Sequence, residues 1–416
     1  MTGIGVDANV HSWHNGALKP AIDRYVHLGP MTWRVIIEKA DWEPSQYGSP
    51  DVIDEAYYNR IYSAGKMEDL WDTIDYIESF PGQAVSLSIM GGVADWMGGN
   101  HIETDKEEYW VRMLASLLDY GSRERHARVE LVSPFNEPDW NGIEGPKVDP
   151  VQMTRLLDKL GKRLDDLGLG DVRFVVPDTA NAEAARSQYM PALLANPSVV
   201  AKIARIGIHS YSGDSAGVPQ SVHVGPLANA GVWATEFNAW CDACDSGAPP
   251  PGAWDQASAM AHDLLAMIDQ GVTGAQLYDA WDGYYEHHSS VGYWGALAYD
   301  AGSGAYTPRR SFDVLALAVK NIPPGAVRLS TSGAASVDAD AFLVPSSGEI
   351  TVVGINRSSS VQRFRVAVQG TPSKAPTTLS VVDPAVAGVG LSTVSAQGDP
   401  FVVSVPAGAM FALGLP

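Results

Sequence analysis

Residues 128–138 read RVELVSPFNEP, a short apolar run that ends in the polar pair Asn136 and Glu137. Residues 231–238, GVWATEFN, repeat this design around Glu236. Continuous apolar runs of this kind are typical of parallel strands that are covered on both faces. Six further runs have the same character, and they begin near residues 4, 32, 84, 172, 203 and 274. The sequence therefore predicts eight strands before residue 322.

Amphipathic segments lie between these predicted strands. They place apolar side chains at helical spacing over residues 66–80, 106–121, 151–168 and 254–271, and the last three end in glycine, a common helix stop signal. Strands that alternate with helices in this way predict an α/β fold, a (β/α)8 TIM barrel. An open doubly wound sheet is the alternative, although no GxGxxG motif follows the first strand.

The character of the sequence changes after residue 322. The helical period disappears, and six short runs rich in Val, Ser, Thr and Gly follow one another at the spacing of antiparallel strands. We therefore divide the chain into a catalytic barrel, residues 1–322, and a small C-terminal antiparallel β-sandwich, residues 323–416. We expect the sandwich to buttress the barrel.

Charge and composition restrict the partners. The 416 residues include 28 Lys and Arg against 48 Asp and Glu, which gives a formal net charge of −20. A field of this sign repels nucleic acid and anionic membranes, and no apolar run is long enough to cross a bilayer. We expect neither as a partner. The sequence shows no signal-peptide pattern. It leaves the compartment open between secretion with a removed leader and the cytoplasm, and it does not indicate the oligomeric state.

Two cysteines and ten histidines are the candidate metal ligands. Cys241 and Cys244 cannot complete a four-ligand zinc site by themselves, and they leave a local disulfide, two free thiols and a metal or redox use open. The histidines form no HExxH motif. The adjacent residues His287 and His288 would point to opposite sides of an extended chain. We therefore expect no metal and no cofactor.

Polar and aromatic side chains are concentrated at the ends of the predicted strands, which surround the active site in a TIM barrel. In strand order they are Asn9 and Trp13; Arg34 and Glu38; Trp96; Asn136, Glu137 and Trp140; His209 and Tyr211; Glu236; and Asp279 and Trp281. Strands four and seven lie nearly opposite each other. Glu137 and Glu236 would therefore face each other across one pocket, as the two carboxyl groups of a glycoside hydrolase do.

These motifs also resemble a known group of enzymes. Residues 133–140, SPFNEPDW, resemble the acid/base motif at the end of strand four in clan A glycoside hydrolases, and residues 233–240, WATEFNAW, resemble the nucleophile segment of strand seven. His209 and Tyr211 match the strand-six pattern of the clan. The motif SPFNEP, residues 133–138, and the presence of a C-terminal β domain resemble families 30 and 39 more closely.

The match to individual families is incomplete. Arg34 and Trp281 match the strand-two and strand-eight positions of the cellulase-like family 5, but the histidine that this family carries near strand three is missing. Family 30 members usually begin with a strand that joins the sandwich, whereas this chain starts directly in the barrel. The resemblance therefore covers the whole chain without selecting one family.

The resemblance implies a retaining enzyme that cleaves β-D or equivalent α-L bonds in an oligo- or polysaccharide. Glu137 would be the acid/base and Glu236 the nucleophile, which Tyr211 and Arg34 would hold ionised. Asn136 would bind the 2-hydroxyl of the sugar, and we expect His209 to support the site through hydrogen bonds.

Several aromatic residues near the predicted loops could stack on sugar rings. Those in or beside the loops are Trp13, Trp42, Trp96, Trp140, Trp240, Trp281 and Trp294. The predicted substrate-binding residues are Trp13, Trp96, Trp140, Trp281, Asn9, Glu38 and Asp279. Two other functions compete with the glycosidase: a non-catalytic carbohydrate-binding protein on a barrel scaffold, and a metal-dependent barrel hydrolase.

Overall fold

Eight parallel strands close into a barrel in a computed structural model that describes residues 1–38, 43–222, 225–333, 336–369, 378–392 and 402–415. The strands follow one another in chain order, and the first pairs with both the second and the eighth. They are β1 Gly3–Asn9, β2 Met31–Glu38, β3 Gln83–Met90, β4 Leu131–Ser133, β5 Arg173–Thr179, β6 Ile203–Ser210, β7 Gly231–Phe237 and β8 Gly274–Leu277. The TIM barrel is confirmed, and the open sheet is excluded.

Helices cover the outside of this barrel. They are α1 Lys19–Val26, α2 Glu55–Tyr62, α3 Gly65–Glu78, α4 Glu107–Glu124, α5 Pro150–Asp166, α6 Ala182–Ala184, α7 Met190–Leu194, α8 Pro197–Lys202, α9 Val218–Val222, α10 Asp242–Asp245, α11 Ala253–Asp269 and α12 Arg310–Asn321. Shorter helical turns lie at Asp95–Met97, Thr104–Lys106 and Ala185–Tyr189. No helix among the described residues combines the length and the apolar character that a membrane crossing requires.

Helix α5 shows how the sequence sets these elements. The Asp149 side chain accepts hydrogen bonds from the backbone N–H groups of Val151 and Gln152, so it caps the helix. Pro150 occupies the first turn, where its missing N–H has no cost. The buried face repeats at helical spacing through Met153, Leu156, Leu157, Leu160, Gly161 and Leu164. Gly168 ends the segment with a φ of +75°.

Helix α4 corrects one expected boundary. We expected Gly121 to stop this helix, but the helix continues to Glu124. A Cβ at Gly121 would lie 2.3 Å from the nearest ring atom of Trp71. Glycine is needed at this position because the Trp71 indole of α3 packs directly on the backbone of α4. The residue that we interpreted as a helix stop therefore serves packing.

Antiparallel strands form the rest of the chain. Two hairpins follow the barrel closely: β9 Gly283–Tyr285 with β10 Ser290–Gly292, and β11 Leu297–Asp300 with β12 Ala305–Pro308. The later strands are β13 Val327–Leu329, β14 Val337–Val344, β15 Glu349–Asn356, β16 Gln362–Arg365, β17 Thr378–Val382, β18 Gly390–Ser392, β19 Val402–Val405 and β20 Met410–Leu415. They form a sheet in the order β13-β14-β15-β20-β17-β18 and a second sheet of β16 and β19, which confirms the sandwich-like C-terminal region.

The sandwich and the barrel share apolar core. Phe342, Val353 and Met410 of the large sheet belong to the same buried cluster as Leu315 and Val319 of α12. A second cluster lies within the sandwich itself. Because part of the sandwich core is built on a barrel helix, the division into two units at residue 322 stays a prediction.

Two helical glycines provide a matched test of this packing. Gly121→Ala should lower the free energy of unfolding by about 1–3 kcal/mol, because the added methyl group overlaps the Trp71 ring. Gly161→Ala should raise it by about 0.5–1 kcal/mol, because alanine favours a helix and the nearest atom, Lys202 Cγ, lies at an ordinary 3.5 Å. Denaturant midpoints of the two variants measure both effects. Equal midpoints would contradict the role of Trp71.

Candidate active site

A pocket of about 590 Å³ opens at the C-terminal end of the barrel. Its size lies within the range of roughly 300–1,000 Å³ that is usual for small-molecule sites. The lining combines acids and aromatic rings, and it includes Glu137, Trp140, Tyr211, Glu236, Trp240 and Tyr278. Polar and aromatic side chains from the strand ends therefore line a common cavity, as we predicted.

Glu137 and Glu236 are close neighbours in this pocket. One carboxylate oxygen of each and one ring nitrogen of His209 all lie within 4.8 Å of one another. His209 Nδ1 is 2.9 Å from Glu137 Oε1 and 3.2 Å from Glu236 Oε2. The Glu137 side chain is 13% exposed and that of Glu236 is 5% exposed. Both can therefore meet a bound molecule, while water has little access to either.

Arg34 connects the strands beneath this pair. Its Nη1 donates to Asp7 Oδ2 at 2.9 Å and to Glu236 Oε1 at 2.8 Å. Its Nη2 donates to Asn136 Oδ1 at 2.5 Å and to Asp178 Oδ2 at 3.0 Å. The guanidinium is buried together with all four partners. Planar, multiple bonding of this kind fixes the position of a carboxylate as well as its charge.

Tyr211 holds Glu236 from the other side. Its hydroxyl donates to Glu236 Oε2 at 2.9 Å, so each oxygen of Glu236 has one donor. Asn136 lies below the pocket wall, where its Nδ2 donates to the backbone oxygen of Glu144 at 3.0 Å. The role of Asn136 toward a sugar hydroxyl stays a prediction.

Asp7 and Asp178 are site residues that sequence reasoning missed. Asp178 ends β5 and accepts hydrogen bonds from Ser133 and Thr235 in addition to Arg34. Both acids follow apolar residues on a barrel strand, in GIGVDAN and VRFVVPDTAN. The signal that selected Glu137 was therefore present for these acids as well, but no motif distinguished them.

The backbone is strained where β4 and β5 end. Glu137 has a φ of +44° and Asp178 a φ of +62°, in the left-handed region that glycine normally occupies. The Glu137 N–H donates to the backbone oxygen of Asp178 at 2.9 Å, which couples the two positions. Strain of this type costs about 1–3 kcal/mol per residue and is concentrated at functional sites.

The pKa values of the acids diverge. Burial raises the pKa of Glu137, and the negative charge of Glu236 raises it further, against the opposing effect of His209. Burial also raises the pKa of Asp7 well above its usual range. For Asp178 burial acts in the same direction, but the charges of Arg34 and His209 outweigh it and hold the pKa low. Burial and charge thus shift the pKa values of acids in one site in opposite directions.

The environment of His209 favours its cationic form. Burial lowers the pKa of its imidazole, but the facing carboxylates of Glu236, Asp178 and Glu137 outweigh burial and raise the pKa well above the usual range. Its Nε2 lies 3.5 Å from Asp178 Oδ1. The ring therefore joins the two candidate catalytic acids to the buried acid below them.

Two predicted aromatic contacts are corrected by the structure. Trp281 is fully buried, with its indole N–H bonded to the backbone oxygen of Asn9 at 2.9 Å. Trp13 is also buried and packs on Tyr76. Neither lines the pocket, because both indoles fill space between the barrel and its covering segments. On strand eight the residue that does line the pocket is Tyr278.

The other tryptophans differ in their exposure. Trp140 lines the pocket and is 56% exposed. Trp240 and Trp294 line it as well, with ring centroids 5.6 Å apart. Trp96 is half-buried outside the pocket, and its N–H donates to the Glu43 backbone oxygen at 2.9 Å. Trp42 lies outside the described residues.

The predicted polar contacts Asn9, Glu38 and Asp279 are also corrected. All three are buried and none lines the pocket. Asn9 Nδ2 donates to the backbone oxygen of Tyr284 at 2.9 Å, and Asp279 accepts a bond from the Tyr285 hydroxyl. The β9–β10 hairpin therefore covers the ends of β1, β2 and β8, which sequence reasoning had left open to substrate.

The adjacent histidines of this hairpin also differ from expectation. We expected them on opposite sides of the chain, but His287 Nε2 and His288 Nε2 both lie 3.1 Å from a Glu144 oxygen. His287 Nδ1 lies 2.8 Å from Glu38 Oε1. Burial lowers the pKa of His287, but its bonds to Glu144 and Glu38 outweigh burial and raise the pKa to about 9. Burial raises the pKa of Glu144, but both histidines together lower it to about 2.

Two further features concern metals and thiols. Among the described residues, two groups have ligand atoms close enough to hold a cation, Glu144 with His287 and His288, and Glu137 with His209 and Glu236. The expectation of no metal stays a prediction. Cys241 and Cys244 form a disulfide, which decides between the alternatives that the sequence left open.

Comparisons with known proteins agree with this architecture. A model described as glycosyl hydrolase catalytic core matches residues 101–271. A family 30 subfamily 8 xylanase from Clostridium acetobutylicum is similar at a TM-score of 0.72 and 16% identity, over 100% of this chain and 96% of the xylanase. A family 30 endoxylanase from Clostridium papyrosolvens reaches 0.71 at 15% identity, over 100% and 96% of the two chains.

A third solved structure extends the range of neighbours. An endo-β-1,6-glucanase reaches a TM-score of 0.70 at 15% identity, over 100% of this chain and 91% of that protein. No protein with a curated description matches the sequence. The structural likeness shows the shared fold, and together with the matched catalytic core it supports glycosidase activity. The resemblance to glycoside hydrolases that the motifs suggested is confirmed.

The coupling between the two glutamates can be measured directly. Glu236→Gln should lower the pKa of Glu137, because it removes a negative charge that opposes ionisation of Glu137. NMR titration of protein labelled with ¹³C at the glutamate δ carbon follows this pKa, and Glu137→Gln assigns the signal. Glu183→Gln changes a distant exposed acid and should leave the Glu137 titration in place. A Glu137 pKa that does not fall in Glu236→Gln would contradict the coupling.

Proposed function

We propose that this protein is a retaining glycoside hydrolase that works by double displacement, with Glu137 as acid/base and Glu236 as nucleophile. The observation that carries the proposal is the approach of their carboxylate oxygens to within 4.8 Å. Retaining enzymes hold their two carboxyl groups about 5–5.5 Å apart, whereas inverting enzymes need roughly 6.5–9.5 Å to admit a water molecule. An approach of this kind favours the retaining arrangement.

In the first step Glu137 donates its proton to the glycosidic oxygen while Glu236 attacks the anomeric carbon. The C–O bond to the leaving group breaks, and an ester forms between the sugar and Glu236. The raised pKa of Glu137 keeps its proton available for this transfer. Arg34 and Tyr211 each donate a hydrogen bond to one oxygen of Glu236, so the attacking carboxylate is fixed in direction.

In the second step the ester is hydrolysed. Esterification removes the negative charge of Glu236, and the pKa of Glu137 falls as a result. Glu137, now ionised, can take a proton from water as that water attacks the anomeric carbon. His209 Nδ1 lies 2.9 Å from Glu137 Oε1 and 3.2 Å from Glu236 Oε2, where a positive charge on the ring would stabilise the ionised form of either glutamate.

The lining of the pocket supports a sugar as the substrate. Trp140, Trp240, Trp294 and Tyr278 present ring faces or edges around the two acids, and flat aromatic surfaces suit the C–H faces of sugar rings. The structural neighbours include enzymes named for xylan and for β-1,6-glucan. We propose an oligo- or polysaccharide substrate with β-D or configurationally equivalent α-L bonds.

Azide rescue tests the two roles separately. Glu236→Ala should lower kcat on an aryl glycoside by roughly 10⁴- to 10⁶-fold, because no nucleophile remains. External azide should restore turnover and give a glycosyl azide of inverted configuration. In Glu137→Ala, azide should instead intercept the glycosyl-enzyme and give the retained azide. A panel of aryl β-xylosides, β-glucosides and α-L-arabinofuranosides supplies the substrate, and NMR identifies the anomer.

The control for this experiment is Glu183→Ala, which removes an exposed acid that pairs only with Arg186 among the described contacts. Its turnover should equal that of the wild type. Full activity in Glu236→Ala would eliminate the assigned nucleophile, and a first product of inverted configuration from the wild type would eliminate double displacement. Binding to glycans without any hydrolysis would favour the non-catalytic alternative.

Chelation separates this mechanism from metal-dependent hydrolysis. Of the two groups that could hold a cation, the one in the catalytic centre contains the carboxylates that our mechanism uses as acid and nucleophile, Glu137 and Glu236. A cation bound to them would block both roles. Activity on the aryl glycoside should therefore be unchanged after dialysis against a chelator, and added Zn²⁺ should inhibit it. Activity that is lost on chelation and restored by a metal would support the metal-dependent alternative.

A further inference from the structure

The pocket is built from only part of the barrel mouth. Its lining residues follow β3 to β8 or belong to the β9–β10 hairpin. Among the described residues, none from β1, β2 or the segments after them reaches it. In an open cleft, a polymer would cross the mouth of the barrel and leave on both sides of the two catalytic acids. Here, among the described residues, the β9–β10 hairpin occupies one of those sides.

The β9–β10 hairpin forms this closed side, and its attachments are specific. It is bonded to the end of β1 through Asn9 and to the end of β2 through Glu38. His287 and His288 then extend the connection to Glu144 in the loop after β4. The backbone oxygen of Glu144 accepts the N–H of Gly91 at 2.7 Å, which ties that loop to the end of β3. We call this connected set, Glu38, His287, His288 and Glu144, the end wall.

Ion pairs hold the residues of the end wall together. The His287 side chain is 1% exposed and that of Glu38 is fully buried. A buried carboxylate is stable only when it is paired, and the imidazolium between Glu38 and Glu144 supplies the pair. Removing the His287 ring would take away the group that bonds both of these acids.

The part of the pocket rim that is open to solvent lies beside Glu137. Trp140 and Asn141 of the same loop and Asn181 after β5 border the pocket there, and Trp140 is 56% exposed. The acid must stand beside the leaving oxygen. The leaving group therefore extends over Trp140 toward solvent, while the sugar that becomes attached to Glu236 sits against the end wall.

On the basis of the proposed function, we infer that the end wall makes this enzyme exo-acting: it admits the terminal, non-reducing sugar of a glycoside or short chain and excludes internal bonds of a polysaccharide. The wall thus selects the substrate class, and the catalytic acids carry out the same chemistry that they would in an open cleft.

Product analysis tests this inference. The probes are the hexasaccharides of β-1,4-xylose, β-1,4-glucose and β-1,6-glucose, each reduced at one end to mark direction. For the hexasaccharide that is cleaved, the first products should be the monosaccharide and the chain shortened by one unit. A bulky acetal on the non-reducing terminal sugar should abolish cleavage. Fragments of intermediate length at early times, or cleavage of the capped chain, would overturn the inference.

The wall itself is tested with His287→Ala/His288→Ala. Loss of the cation between Glu38 and Glu144 should open the wall, so that fragments of intermediate length appear. His262→Ala is the matched control, because that ring pairs with Asp338 of the sandwich, and it should keep the end-only pattern. A double variant that unfolds at the wild-type temperature, hydrolyses the aryl glycoside and still cuts only from the end would refute the assignment to this wall.

Different results would refute the exo action and the proposed glycosidase function. Internal cutting by the wild type would refute the end wall and leave the double-displacement mechanism standing. If the wild type hydrolyses neither the aryl glycosides nor any hexasaccharide, the proposed function is refuted, and the exo assignment falls with it. If the double variant does not fold, the capped and uncapped hexasaccharides still decide the matter with the wild-type protein.

Discussion

The buried guanidinium of Arg34 is the interaction on which the rest of the site depends. It joins side chains from four parts of the barrel, through Asp7, Asn136, Asp178 and Glu236. A buried charge is expensive unless it is paired, and each of these acids would be expensive without the cation. The strands can therefore close with these acids inside only in the arrangement that aims Glu236 at the pocket. Closure of the barrel and preparation of the nucleophile follow from the same bonds.

The acids at the base of the site share two cations, and this sharing shifts their pKa values in different directions. Arg34 and His209 are the cations that face the site among the described residues, and they are shared by a larger number of buried carboxyl groups. Asp178 lies 3.0 Å from Arg34 and 3.5 Å from His209, and their charges hold its pKa low. Glu137 has no bond to Arg34 in the structure, so burial dominates its pKa. The bond to Arg34 thus separates the pKa of Asp178 on β5 from the pKa of Glu137 after the neighbouring strand β4.

The sequence predicted the site residues whose position follows from the order of the barrel strands. It did not predict which strand ends a later segment of the chain covers. Glu137, Glu236, His209, Tyr211 and Arg34 meet because each follows or occupies an apolar strand, and closure of the barrel brings those positions together. Trp281, Asn9, Glu38 and Asp279 follow the same rule along the chain. They are nevertheless covered, because a hairpin of ten residues folds over them through bonds to residues up to about 275 positions away. No local signal encodes such a contact. Gly121 shows the same limit. We interpreted this glycine as a helix stop, but it provides space for the Trp71 ring, which is distant in sequence.

The catalytic centre and the end wall meet at Glu144, and this contact limits how independently they can vary. Its side chain holds His287 and His288, while its backbone oxygen accepts the amide of Asn136, which also bonds Arg34. The side chain therefore holds the wall, and its charge also raises the pKa of Glu137, while the backbone oxygen supports the centre. A substitution at Glu144 that keeps the backbone in place removes wall contacts and leaves the acids supported by Arg34, Tyr211 and His209. Because a backbone acceptor does not depend on residue type, the selection of substrate length can change by mutation while the chemistry of bond cleavage is retained.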